Sequence, residues 1–189
     1  MSVVCSQRND TGGSMKHGWK VFVGIGLIVG CANVWADTGM AVIKGTAAGS
    51  NISGKATLKD TAQGLKVVIA VTGVPAGAHG LHIHEQGNCG DQGKAAGGHF
   101  NPAGAPHGLL PKDGPTKAHA GDMGNIEVSS NGSGTATVVL PGVSLKGKGG
   151  TPAVDGRAII VHEKPDNFGQ PTGNAGGRIG CGVIQVTKE

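Results

Sequence analysis

Apolar and polar residues alternate in short runs along most of this chain. Gly64-Leu65-Lys66-Val67-Val68-Ile69-Ala70-Val71-Thr72-Gly73 is a β-branched run closed by glycine at both ends, which reads as a strand. Similar runs cover residues 40–46, 52–58, 81–85, 126–130, 135–140, 157–162 and 183–187. Asn131-Gly132 separates two of them and signals a tight hairpin, because both residues tolerate the positive φ of a type I′ turn. No segment has the 3.6-residue periodicity of an amphipathic helix. These runs predict an all-β domain: an eight-stranded antiparallel β-sandwich or flattened barrel with Greek-key connections. Two long segments, 87–121 and 164–178, are dense in glycine and proline. Structureless loops longer than ~12–15 residues are usually functional or disordered. Here they carry most of the chemistry, so they are read as functional.

The start of the chain follows another pattern. Met15-Lys16-His17-Gly18-Trp19-Lys20 is basic, 21–30 is apolar, and Val34-Trp35-Ala36 ends in a small residue. That order describes a secretory signal peptide. The apolar run is shorter than the ~20 residues of a membrane span. Residues 1–36 are therefore assigned to the leader, with 1–14 an upstream extension before Met15, and residues 37–189 to one domain. Ile28-Val29-Gly30-Cys31 also resembles a bacterial lipobox, which would leave a lipid on Cys31; cleavage after Ala36 is preferred.

Composition then narrows the classes. Charged residues make up 15% of the chain, against ~25% in ordinary globular proteins. A nucleic-acid-binding chain would carry more Lys and Arg, and no nucleic-acid partner is expected. Removing residues 1–36 takes Arg8, Lys16, Lys20 and Asp10, and lowers the net charge from +4 to +2. Both tryptophans leave with the leader and Tyr is absent, so the core must be aliphatic. Cys89 and Cys181 are the cysteines that remain; in an exported domain such a pair points to a disulfide.

Histidine spacing supplies the chemistry. His82 and His84 sit two apart on a predicted strand, so both rings share one face while Ile83 points to the other. Two imidazoles on one face form half of a metal site, and imidazole suits zinc or copper. His99, His107 and His119 lie in the long loop, with Asp122 three residues later. Three nitrogens and one carboxylate make a closed tetrahedral zinc set. A metal would also explain how a loop without structure of its own keeps its shape.

These segments resemble the copper/zinc superoxide dismutase family in its bacterial exported form. The resemblance rests on Gly80-Leu81-His82-Ile83-His84-Glu85, Gly98-His99-Phe100-Asn101-Pro102 with His107 following, and His119-Ala120-Gly121-Asp122-Met123-Gly124-Asn125. It continues through Gly156-Arg157-Ala158-Ile159-Ile160-Val161-His162-Glu163-Lys164 and Gly173-Asn174-Ala175-Gly176-Gly177-Arg178-Ile179-Gly180-Cys181. It implies one copper on His82, His84, His99 and His162. It implies one zinc on His99, His107, His119 and Asp122, with His99 bridging the two ions. It further implies Asp166 as the carboxylate linking His82 to His107, a Cys89–Cys181 disulfide, and Arg178 as the guide for the anionic substrate, superoxide. His79 matches a structural position and is not expected to be a ligand. Lys94, Lys112, Lys117 and Lys164 are candidates for longer-range steering.

The implied activity is dismutation of superoxide to oxygen and hydrogen peroxide in the periplasm, with His99 and Arg178 as catalytic residues. The competing reading is an exported metal-buffering module without turnover. All seven ligand positions and Arg178 are present, which favours the enzyme. The quaternary state is open between monomer and homodimer. One decoy is set aside: residues 142–148 have the spacing of a phosphate-binding loop, but Gly149 stands where its Ser or Thr is needed.

Overall fold

A computed structural model describes residues 36–187; residues 1–35 of the expected leader lie outside the described residues. Eight strands follow in order: β1 Thr38–Gly45, β2 Ser53–Thr61, β3 Gly64–Thr72, β4 Gly77–His84, β5 Asp122–Val128, β6 Gly134–Leu140, β7 Ala158–His162 and β8 Arg178–Val183. A two-residue strand, β9 (Gln185–Val186), continues β8 and pairs with β1. Neighbours are antiparallel in the order β2-β3-β6-β5-β4-β7-β8-β1, and β1 also pairs with β2, so the sheet closes on itself. The expected Greek-key barrel is what the chain forms. Among the described residues, helix is confined to a single turn at α1 (Leu110–Asp113) and two short 3₁₀ turns.

The barrel interior follows from side-chain alternation. In β3, Leu65, Val67, Ile69 and Val71 are buried while Lys66, Val68 and Thr72 face out. Leu81 and Ile83 of β4 and Ile159 and Val161 of β7 join the same aliphatic core. The alternate residues of β4 and β7 are also buried, although they point out of the barrel. The two long loops cover them. A second, smaller cluster of Ala96, Ala158, Ile160 and Cys181 forms on that outer face.

Three strands extend beyond their sequence signal. β4 begins at Gly77 rather than 81, β5 at Asp122 rather than 126, and β8 at Arg178 rather than 183. The added residues include five glycines, which have low strand propensity. Cross-strand pairing holds them instead, with Gly80 opposite Asn125 and Gly180 opposite Val161. At Gly182 any Cβ would meet the Val42 carbonyl at 2.5 Å, so only glycine permits that approach of β8 to β1.

Two register shifts interrupt the sheet. One falls between Leu81 and His82, opposite Asp122, and the other between Val161 and His162, opposite Arg178. Bulges re-aim side chains and concentrate near functional sites; both of these fall on residues singled out by the sequence.

Cys89 and Cys181 form a disulfide with Cα atoms 5.7 Å apart, closing a sequence separation of 92 residues. It fastens the loop after β4 to β8. Chain entropy assigns such a closure ~4–5 kcal/mol. Replacing both cysteines by serine is expected to lower the unfolding free energy by about that amount while the barrel still folds, as read from denaturant titration and far-ultraviolet circular dichroism.

Candidate metal centre

The site is built on the outer face of β4. His82 and His84 project there together because Leu81 and Ile83 occupy the core face. The loop after β4 then folds back along the strand. Glu85 N–H donates to the Gly98 carbonyl at 3.0 Å, Gln86 N–H donates to the Ala96 carbonyl at 2.9 Å, and His84 and His99 form an antiparallel bridge. This return brings His99 to His84. Further along, Gly121 is pinned against β4: Ile83 N–H donates to its carbonyl, and its own N–H donates to that of Phe100. A Cβ on Gly121 would strike the Ile83 carbonyl. The contact sets the start of β5 and so the position of Asp122.

Side chains at some distance hold this loop down. The Arg178 guanidinium donates to the carbonyls of Gly93 and Gly97 at 2.6 Å each, and to that of Lys94 at 3.3 Å. Arg157 donates to the carbonyls of Glu85 and Ala153 and lies 3.6 Å above the Phe100 ring. Asn125 and Asp166 exchange two hydrogen bonds, Asn125 Nδ2 to the Asp166 carbonyl and Asp166 N–H to Asn125 Oδ1. Gln170 grips His107 in the same reciprocal way. Arg157, Asn125 and Gln170 were not identified from sequence as parts of the site. Their partners are backbone groups or distant rings, and residue spacing carries no trace of such pairs.

The candidate donors fall into two buried groups, His82–His84–His99–His162 and His99–His107–His119–Asp122, and within each the ligand atoms lie within 4.8 Å of one another. His99 belongs to both. Asp166 joins them from outside: His82 Nε2 donates to its Oδ2 at 2.8 Å, and His107 Nε2 lies 3.0 Å from the same carboxylate. Gly173 is required at this point, since a Cβ there would run into the Asp166 carboxylate and the His107 ring. Every ring that the sequence proposed as a ligand is in this cluster. His79 stays out of it, with its ring nitrogens on the carbonyls of His162 and Pro75.

Proton placement tests whether these residues suit metal ions. Carbonyl and carboxylate oxygens accept, so a ring nitrogen facing one carries the hydrogen. His84 Nδ1 donates to the Gly97 carbonyl and His162 Nδ1 to that of Gly176. Their Nε2 atoms are then bare lone pairs, facing each other at 3.3 Å. His82 donates from Nε2, and its Nδ1 is buried without a hydrogen-bond partner. His107 faces Asp166 with Nε2 and Asp122 Oδ2 with Nδ1 at 2.9 Å, so the metal-free ring carries both protons, and a cation binding at Nδ1 would displace one. Buried lone pairs aimed at one another, with no proton between them, call for a cation. The donor sets therefore fit bound metal ions.

Electrostatics agree. Burial, reinforced by neighbouring imidazoles and by Arg178, pushes His84 down to about 2 and His162 to about 3. Burial also lowers His99, to about 4, against the pull of Asp122. Those rings are neutral at neutral pH, the form in which an imidazole can ligate a metal. Burial would lower His107 too, but hydrogen bonds to Asp122 and Asp166 override it and raise the ring to about 9. Burial works against ionising Asp122, yet its three histidine partners and the Gly108 N–H hold it far below the usual carboxylate range. Asp122 is thus an ionised carboxylate among three imidazoles, a donor set suited to a cation.

Arg178 and Lys94 line a cavity of about 560 Å³ together with Glu163, Gly176 and Gly177. Among the described residues, no helix is long and apolar enough to cross a membrane. The disulfide indicates an oxidising, exported compartment.

Comparison with known proteins points the same way. A family model described as copper/zinc superoxide dismutase matches residues 52–184. "Superoxide dismutase [Cu-Zn]" of Caulobacter vibrioides is 40% identical over 139 residues, covering 70% of this chain and 78% of that protein. "Superoxide dismutase [Cu-Zn] 2" of Aquifex aeolicus is 43% identical over 140 residues, 71% of this chain and 80% of its own length. Among solved structures, the crystal structure of the clock protein EA4 superposes with a TM-score of 0.69 at 32% identity, covering 92% of this chain and 100% of that one. A match that runs from β2 through β8 and takes in both long loops, on a chain whose buried histidines divide into two groups around one ring, makes this protein a member of the copper/zinc superoxide dismutase family.

Proposed function

We propose that the protein is a superoxide dismutase, converting two superoxide anions and two protons to oxygen and hydrogen peroxide. The reading is carried by one observation: a single imidazole, His99, is common to both donor groups. We assign copper to His82, His84, His99 and His162, and zinc to His99, His107, His119 and Asp122, one of each per subunit. Four imidazoles suit a redox-active ion, and three nitrogens with a carboxylate suit tetrahedral zinc. Copper, when bound, supplies the one-electron exchange with superoxide, and zinc, which has no redox chemistry, supplies charge and shape.

The chain's own residues supply the rest. His99 Nδ1 lies 3.0 Å from Asp122 and 3.3 Å from His119 Nδ1. Its Nε2 is thus the nitrogen on the side of His82 and His84, where it can hold a proton and deliver it to reduced dioxygen. Arg178 binds and orients the incoming anion: its fork is fixed by three carbonyl contacts, and a guanidinium has five N–H donors to distribute. Lys94 shares the Arg178 cavity, which favours it over Lys112, Lys117 and Lys164 as the steering residue. Asp166 fixes the orientation of one ring in each group. We infer export to the periplasm from the leader pattern of residues 1–36 together with the disulfide.

Metal analysis combined with a superoxide-consumption assay tests the reading. The expected result is one copper and one zinc per chain with rapid turnover. Full metal content without turnover would instead describe a metal buffer. His162→Ala is expected to abolish turnover while the zinc content stays near one per chain. Asp166→Ala is expected to weaken retention of both metals by ~10- to 100-fold, measured by competition with a chelator. Lys94→Glu is expected to lower the rate several-fold at low ionic strength and to flatten its salt dependence, with unchanged metal content.

A further inference from the structure

The net charge of the exported domain is small, but its lysines are not evenly spread. Lys44, Lys55, Lys59 and Lys66 all sit at outward positions of β1, β2 and β3, and all are exposed. Lys59 and Lys66 are directly opposed in register, an arrangement that costs stability. No outward position of these three strands carries a carboxylate. Asp60 is turned away and accepts the Leu145 N–H, and Asp37 at the strand end pairs with Lys146. Among the described residues, none of the four lysines is in an ion pair.

Apolar side chains lie between them. Val42 is 54% exposed and Val68 38%, and Val42 is opposite Lys55 in register. Met40, Lys55, Lys59, Lys66 and Val68 line a shallow groove of about 440 Å³. Three adjacent strands present a face ~10 Å wide and ~25 Å long.

We propose that this face docks the protein on an anionic phospholipid bilayer. A purely charged polymer would gain nothing from Met40, Val42 and Val68, and the face has no aromatic platform on which bases could stack. A headgroup region takes both kinds of side chain: lysine ammonium groups reach the phosphates while apolar stems and valines settle toward the acyl boundary. Ring position adds a reason. In the closed order, β2 and β3 lie four places around from β4 and β7, so the docking face is diametrically opposite the metal centre. A protein held this way keeps its buried histidine cluster on the side away from the bilayer.

The test is co-sedimentation of the metal-loaded mature protein with phosphatidylcholine vesicles, with and without phosphatidylglycerol. Binding is expected only to the anionic vesicles and is expected to fall as salt rises. Lys55→Gln combined with Lys59→Gln should weaken it roughly 25-fold, with unchanged turnover and an unfolding midpoint that does not fall, since the opposed Lys59–Lys66 charges are relieved. Lys112→Gln combined with Lys117→Gln removes equal charge elsewhere and should leave binding intact. The proposal is overturned by absence of binding, or by equal losses in the two variants. It is likewise overturned if the protein instead binds a soluble polyanion but not vesicles. A lipid-free dimer that the Lys55/Lys59 variant abolishes would make the face a protein interface and equally reject the proposal.

Discussion

Two buried carboxylates decide the form of this site. Asp166 accepts from Nε2 of His82 and lies against Nε2 of His107, so each ring must turn its other nitrogen inward, into a different donor group. Asp122 accepts from the backbone N–H groups of Gly108 and His119 while its charge attracts three imidazoles. With those proton positions fixed, the remaining lone pairs of His82, His84 and His162 converge without protons between them. Neither group would suit a cation if the tautomers were free to exchange, because a ring can satisfy itself on a carbonyl. The hydrogen-bonded framework removes that alternative.

The barrel exists to hold this framework at one place on its surface. Strand alternation divides β4 into a core side of Leu81 and Ile83 and an outer side of His82 and His84. The same alternation in β7 sends Ile159 and Val161 inward and leaves His162 at the end of the outer row. Two bulges then adjust the aim of His82 and His162 at the positions where they face Asp122 and Arg178. Loop residues reach the same spot because segment 96–100 returns along the end of β4 as a partial extra strand. Arg178 and the disulfide secure that return from the side of β8.

Much of this was legible in the sequence, for identifiable reasons. The all-β class follows from β-branched runs such as 64–73, whose alternation survives intact as β3. His82 and His84 stood out because imidazoles are few and strand geometry puts both on one face of β4, whereas His162 and the shared place of His99 entered only through the family resemblance. Glycine obscured the strand ends: Gly77, Gly80, Gly124, Gly180 and Gly182 have no side chain to show a pattern, and pairing alone makes those residues extended. Residues that work by gripping backbone were also hidden. Asn125, Gln170 and Arg157 look like ordinary polar residues until the chain brings their partners close. The lysine face was obscured differently, because a modest total charge averages over a segregated one.

Putting the ligands outside the barrel has a consequence for the life history of the molecule. The aliphatic interior of Ile43, Leu65, Ile69, Ile126 and Ile159 closes without help from any of the seven donors. Strand assembly, thiol oxidation and ion capture can therefore proceed in succession rather than together. An exported polypeptide that arrives without ions can reach its final topology first and acquire its inorganic partners afterward, from whatever supply its compartment provides.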